Sequence, residues 1–156
     1  MVRTKSLSII LSLTMATGIL VGCSKNTATS STGKLVDGVY NVEYENYDSH
    51  GYKGKLQLTV SGVKITDVKY DEVMKNGTFK SKDETYKKTM EAQDKVYPEK
   101  VYKDLEQQLL SKQTTNIDVV SGATASSDNF RALVKYAINE MAFKGTTTPA
   151  KIKASK

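Results

Sequence analysis

The apolar positions of this chain change period along its length, and that change divides it into parts. From Val39 to Glu45 they alternate, with Tyr40, Val42 and Tyr44 on one face. After a loop containing Asp48, Ser49 and Gly51, Leu56, Leu58 and Val60 repeat the alternation. Ser61-Gly62 is a tight-turn signal. Val63, Ile65, Val68 and Tyr70 then mark a third strand, with a phase change near Thr66-Asp67. Successive side chains of a strand point to opposite faces, so these three segments predict an antiparallel meander with one buried face.

The period then lengthens. Ser81-Lys82-Asp83-Glu84 has the form of a capping box and predicts a helix with Tyr86 and Met90 on one side. Pro98 suits the first turn of the next helix, where Val101, Leu105 and Leu109 recur every four residues. Phe130, Leu133, Val134, Ala137, Ile138 and Met141 form the clearest apolar stripe, which Gly145 ends. That last helix starts between Thr124 and Asp128, with Ser126, Ser127 and Asp128 as possible caps. Strands followed by helices predict an α+β fold: a small antiparallel sheet covered by helices on one side. The folded domain spans residues 35–145. The polar stretch 146–156, with Pro149 and several lysines, is expected to fray.

The N-terminus is a different kind of segment. Arg3 and Lys5 precede an apolar run from Leu7 to Val21 that is interrupted by Ser8, Ser12, Thr14, Thr17 and Gly18. It is too short and too polar to span a membrane, which takes about 20 apolar residues. Residues 1–22 have the form of a secretory signal cut after Gly22. Cys23 directly follows the cut, which matches the bacterial lipobox, where the thiol is lipidated and two acyl chains anchor the protein stably. The alternative is a chance cysteine in an ordinary signal. Residues 23–34 would then be the lipidated cysteine and a flexible tether rich in Ser, Thr, Asn and Gly.

Composition narrows the chemistry. Removing residues 1–22 takes away Arg3 and Lys5, leaving 21 basic residues against 17 acidic ones. The lysines are scattered among acids from Lys53 to Lys103, as on a solvated surface, with no nucleic-acid patch. Cys23 is the only cysteine, so the domain holds no disulfide and no cysteine-ligated cluster. A single histidine, His50, beside Gly51, excludes a His-rich metal site.

Between the second and third helical patterns lies Asp118-Val119-Val120-Ser121-Gly122-Ala123-Thr124. The first amides of a helix lack internal partners, and the helix dipole favours anions there. Gly122 lets the backbone turn tightly, Ala123 keeps the wall small, and Ser121 and Thr124 supply hydroxyls. These residues permit a phosphate at Ser121–Thr124. Composition alone favours a plain Ser/Thr-rich helix cap over a phosphate site.

D-V-V-S-G-A-T followed by Ala125-Ser126-Ser127 resembles the attachment motif of the FMN-binding domain family. Asp37-Gly38-Val39-Tyr40 resembles the family's opening strand. Tyr70-Asp71-Glu72, Lys80-Ser81, Tyr86 and Met90 resemble its middle. The resemblance implies FMN carried as a phosphoester on Thr124 within a single FMN-binding domain. It also implies a separate Mg²⁺-dependent flavin transferase, which takes FMN from FAD and releases AMP. Asp118 would be part of what that transferase reads, or else a turn acid. Tyr86 and Met90 become candidate ring neighbours, with core packing as the alternative.

With the lipobox, the chain is similar to the flavinylated lipoproteins of Gram-positive extracellular electron transfer. The implied protein is a monomeric electron carrier on the outer face of the cytoplasmic membrane. It would relay electrons from a membrane donor, such as a quinol-linked dehydrogenase, to extracellular acceptors. Two other classes stay open: a surface binding lipoprotein with no redox role, and a flavin-dependent reductase subunit.

Overall fold

The computed structural model describes residues 33–154. The signal segment and Cys23 lie outside these residues. Four strands and three helices follow one another as β1 (Gly38–Tyr44), β2 (Tyr52–Ser61), β3 (Lys64–Met74), α1 (Glu84–Asp94), α2 (Pro98–Lys112), α3 (Thr124–Tyr136) and β4 (Ala150–Ile152). The sheet order is β3-β2-β1-β4. The first three strands form the expected antiparallel meander. β4 joins β1 in parallel, pairing Val42 with Ala150 and Tyr44 with Ile152. The α+β architecture holds, and the sheet is mixed.

The segment expected to fray thus supplies an edge strand. Its three residues are too few to show a period. They are held because the exposed edge of β1 offers unpaired backbone groups.

Two details correct the strand reading. Val63 is a turn residue: Gly62 and Val63 both have positive φ, at 60° and 65°. Ser61 pairs with Lys64 across them, and a two-residue hairpin of this kind requires left-handed backbone at both positions. A β-branched residue is costly there. The carboxylate of Asp37 compensates by accepting from the amides of Gly62 and Val63 at 3.0 and 3.1 Å. Those two bonds also hold the Asp37 carboxyl below its usual range. The expected phase change falls in place. Thr59 faces Asp67 and Val60 faces Ile65, so Thr66 is the extra residue of a bulge.

The inner face of the sheet carries Tyr40, Val42, Leu56, Leu58, Val60, Ile65, Val68 and Tyr70. Against it pack Val101, Leu105 and Leu109 of α2 and Phe130, Leu133 and Val134 of α3. Tyr70 sits at their junction, with its ring edge-on to Tyr102 at 4.9 Å and to Phe130 at 5.2 Å. β3 continues past the expected Tyr70 to Met74, which carries Glu72 into the interior.

The helix starts differ from those expected. Ser81 caps nothing: it sits in a short 3-10 turn, Lys80–Lys82, and its hydroxyl bonds to Asp71. Asp83 is the cap of α1, accepting from Thr85 and Tyr86 amides. The capping-box pattern located the helix but placed its start two residues early, because Asp71 on β3 takes the serine hydroxyl. After α3 the helix widens into a π-helical turn, Ala137–Ala142, and Gly145 follows it with φ at 66°. The amide of Thr146 closes the end on the carbonyl of Met141 at 3.0 Å.

Candidate functional site at the start of the third helix

α3 begins at Thr124, and its cap is Ala123, whose side chain cannot accept a hydrogen bond. The expected caps Ser126, Ser127 and Asp128 all lie inside the helix. Asp128 is exposed and pairs with Arg131 at 2.6 Å. Ser126 is buried, and Ser127 is wholly so. The Ser127 hydroxyl donates to the Ala123 carbonyl at 2.8 Å and accepts from the Val120 amide at 3.0 Å. It is therefore a bolt behind the turn and not a ligand. Sequence alone could not separate these hydroxyls, because three adjacent serine or aspartate positions all suit a cap.

The turn itself runs from Val120 to Ala123, closed by the Ala123 amide on the Val120 carbonyl at 3.0 Å. Gly122 takes φ of 77° at its third position, which a side chain tolerates poorly. A β-carbon there would also lie 2.9 Å from the β-carbon of Asp94 and 3.1 Å from Val96, at the end of α1. Backbone strain and a steric clash coincide. Gly122→Ala should lose about 1–3 kcal/mol in denaturant unfolding. Adding Asp94→Gly should return only the steric part. Full recovery would show that φ contributes nothing.

The amides of Thr124, Ala125 and Ser126 precede the first intrahelical bond, which runs from the Ser127 amide to the Ala123 carbonyl at 3.0 Å. Ser121 and Thr124 are both exposed beside them. Three donor amides, two accessible hydroxyls and the positive end of the helix dipole make a donor set that fits a phosphate monoester or diester. Thr124 stands at the first helical position, open to a second protein.

The other expected residues fall in two places. Asp118 is exposed, and Lys112 of α2 holds its carboxylate at 2.6 Å. Tyr86 and Met90 are half-buried on α1, on the same face as Asp94 by their four-residue spacing. Met90 packs on the hydrophobic core. The Tyr86 ring lies edge-on to Tyr52 at 5.7 Å, with the Lys80 ammonium 4.6 Å from its centre. The stripe leads from Lys80 towards the Gly122 turn over about 12 Å of helix.

That stripe ends in an ion pair whose burial the sequence did not reveal. Glu72 is 1% exposed and Lys80 7% exposed, joined at 2.6 Å. Tyr70 donates to the same carboxylate at 2.8 Å, and Asn129 of α3 at 3.4 Å. Burial pushes the Glu72 carboxyl up, but Lys80, Tyr70 and Asn129 together bring it below its ordinary value. Burial depresses the Lys80 ammonium, and Glu72 more than restores it, leaving it raised. Glu72 alternates in phase with Tyr70, which was the available signal; a lone acid on an apolar face calls for a cation.

Residues 51–139 match the FMN-binding domain family. The chain is 39% identical over 104 residues to the 15 kDa lipoprotein of Treponema pallidum, covering 66% of this chain and 74% of that one. The crystal structure of the CPE2226 protein from Clostridium perfringens superposes with a TM-score of 0.75 at 36% identity, covering 78% of this chain and 99% of that one. The matched span takes in the buried Glu72–Lys80 pair, the Gly122 turn and Thr124, and the chain belongs to the FMN-binding domain family.

Proposed function

We propose that this protein is a membrane-anchored electron carrier with FMN held covalently on Thr124. The observation that carries the reading is the exposure of Thr124 at the first position of a helix with no side-chain cap. Family membership supports FMN as the cofactor. The likeness to a lipoprotein supports Cys23 as the lipid anchor on the outer face of the cytoplasmic membrane.

Attachment is a group transfer. The Thr124 oxygen attacks the FMN phosphorus of FAD, the bond between the two phosphates breaks, and AMP leaves. The hydroxyl proton passes to a base. A threonine hydroxyl is a poor nucleophile without activation. Neither the motif nor the first turn of α3 contains a histidine or cysteine. Activation therefore falls to the separate flavin transferase and its Mg²⁺, with Asp118 part of what that enzyme reads.

Once attached, FMN supplies the one- and two-electron chemistry, and the chain supplies position and field. The amides of Thr124–Ser126 and the Ser121 hydroxyl hold the phosphate. Gly122 keeps the turn tight against α1. Tyr86 and Met90 offer an aromatic and a thioether surface along the stripe that leads away from it. The ester prevents cofactor loss outside the cell.

The test is a redox cycle on the loaded full chain. Vesicles containing a quinol-linked dehydrogenase and its reductant should bleach the flavin absorbance. Ferric chelates and quinone analogues should then restore it with little discrimination. Saturable turnover with one acceptor would replace the carrier reading with a reductase subunit. Absence of any flavin after exposure to an active transferase would leave a binding lipoprotein.

A further inference from the structure

Asp118 and Val119 lie in a stretch that is neither helix nor strand, yet Asp118 is bonded as a strand residue is. The side-chain amide of Gln108, on α2, accepts from the Asp118 amide at 2.8 Å and donates to the Asp118 carbonyl at 3.3 Å. One residue can offer both groups to one side only when its backbone is extended. The residue that caps the end of α2 does this a second time. Gln113 accepts from the Ile65 amide at 2.8 Å and donates to the Ile65 carbonyl at 2.9 Å, closing the edge of β3. Lys112 supports the first arrangement, donating to Gln108 at 3.2 Å and to the Asp118 carboxylate at 2.6 Å.

In an extended chain the next residue turns its amide and carbonyl to the opposite side. That residue is Val119, and among the described residues neither group has a partner. Its side chain is 42% exposed. From there the chain is pinned by Ser127 at Val120 and by the turn at Gly122, so the distance from Val119 to Thr124 is fixed. A free, registered edge five residues from an acceptor hydroxyl is a template for strand addition.

We propose that Gln108 is a positioning residue, holding Asp118–Val120 as a one-sided strand edge on which the flavin transferase docks. This rests on Thr124 being the acceptor of FMN. The edge supplies binding through main-chain bonds, and the Asp118 carboxylate and Val119 side chain supply selectivity. Gln108 touches neither FAD nor the reacting oxygen; it acts through the backbone of Asp118.

The experiment measures transfer from FAD to the full chain in detergent by a bacterial flavin transferase with Mg²⁺, followed by intact mass and in-gel flavin fluorescence. Gln108→Ala should lower kcat/KM about tenfold, the worth of about one net hydrogen bond in preorganisation, through KM with kcat held. Gln108→Glu keeps the acceptor for the Asp118 amide and should fall between. Val119→Pro, which removes the free donor from an exposed position, should lower kcat/KM at least as far. Thermal unfolding of the Gln108 variants should change by only a few degrees. Wild-type kcat/KM in Gln108→Ala, or in a folded Val119→Pro, would overturn the proposal while leaving Thr124 as acceptor. A wild-type chain left unmodified by a transferase active on another substrate would overturn the acceptor itself, and the docking edge with it.

Discussion

Thr124→Val should abolish covalent flavin completely. Valine has the shape of threonine without the nucleophilic oxygen, and residue 124 is exposed at the first turn of α3, where no neighbour depends on the hydroxyl among the described hydrogen bonds. The fold should therefore survive, with unfolding within about 0.5 kcal/mol of wild type. Wild type exported with a transferase should gain the mass of FMN less one water, and the variant none. Thr124→Ser keeps the nucleophile and should retain flavin. Ser121→Ala removes only a donor to the phosphate and should remain flavinylated at a reduced rate. Modification of Thr124→Val would move the acceptor to another hydroxyl. The exposed Ser121 is the nearest alternative in the motif, so Ser121→Ala in that background would identify it.

Legibility in the sequence followed the range of the interactions concerned. The three-strand meander and the faces of α2 and α3 were readable, because period-2 and period-3.6 patterns are imposed by one buried face. The bulge at Thr66 was readable for the same reason: it breaks the period. What long-range bonds decide was not readable. Ser81 looks like a cap until Asp71, ten residues away on β3, takes its hydroxyl. Val63 looks like a strand residue until Asp37, twenty-six residues earlier, holds its amide in a turn. β4 has no pattern, only a vacant edge to join.

The motif stood out as a sequence, and its geometry agrees on the turn at Gly122 and the helix start at Thr124. The parts that brace it were silent. Gln108 and Lys112 are ordinary polar residues on the solvent side of an amphipathic helix, and Ser127 is one of several equivalent hydroxyls. Their roles exist only once α2 and α3 are packed side by side.

Lys80→Met should be the most destabilising single change outside the apolar core. It removes the cation from a carboxylate that is 1% exposed and, among the described residues, leaves Glu72 with only Tyr70 and Asn129 as donors. Breaking a buried pair from one side costs about 3–5 kcal/mol. The loss includes the contacts of the Lys80 ammonium with the rings of Tyr52 and Tyr86, at 4.7 and 4.6 Å. α1 has no fully buried residue, so its first turn depends on this cluster and should loosen first, exposing its amides to hydrogen exchange.

Replacing both partners, as in Glu72→Leu with Lys80→Met, should recover much of the loss, since no charge remains buried. The pH dependence separates this account from simple loss of packing. In wild type the Glu72 carboxyl lies below its ordinary 4.5, so its stabilisation is present above that value and is lost as pH falls through the folded pKa. The Lys80 ammonium lies above its ordinary 10.5, so its share is present below that value and is lost as pH rises through the folded pKa.

In Lys80→Met the dominant remaining influence on Glu72 is burial, which raises it. The fold then binds the proton more tightly than the unfolded chain does, and stability should rise as pH falls through the raised pKa. Burial also raises the carboxyls of Asp71 and Glu106, which slope the same way in both proteins. The difference between the two urea-unfolding profiles removes their share to first order. That difference should be largest near neutral pH and shrink steadily towards pH about 4, where the variant carboxyl is protonated. A constant offset across that range would assign the effect to packing around the lysine stem and overturn the buried-charge account.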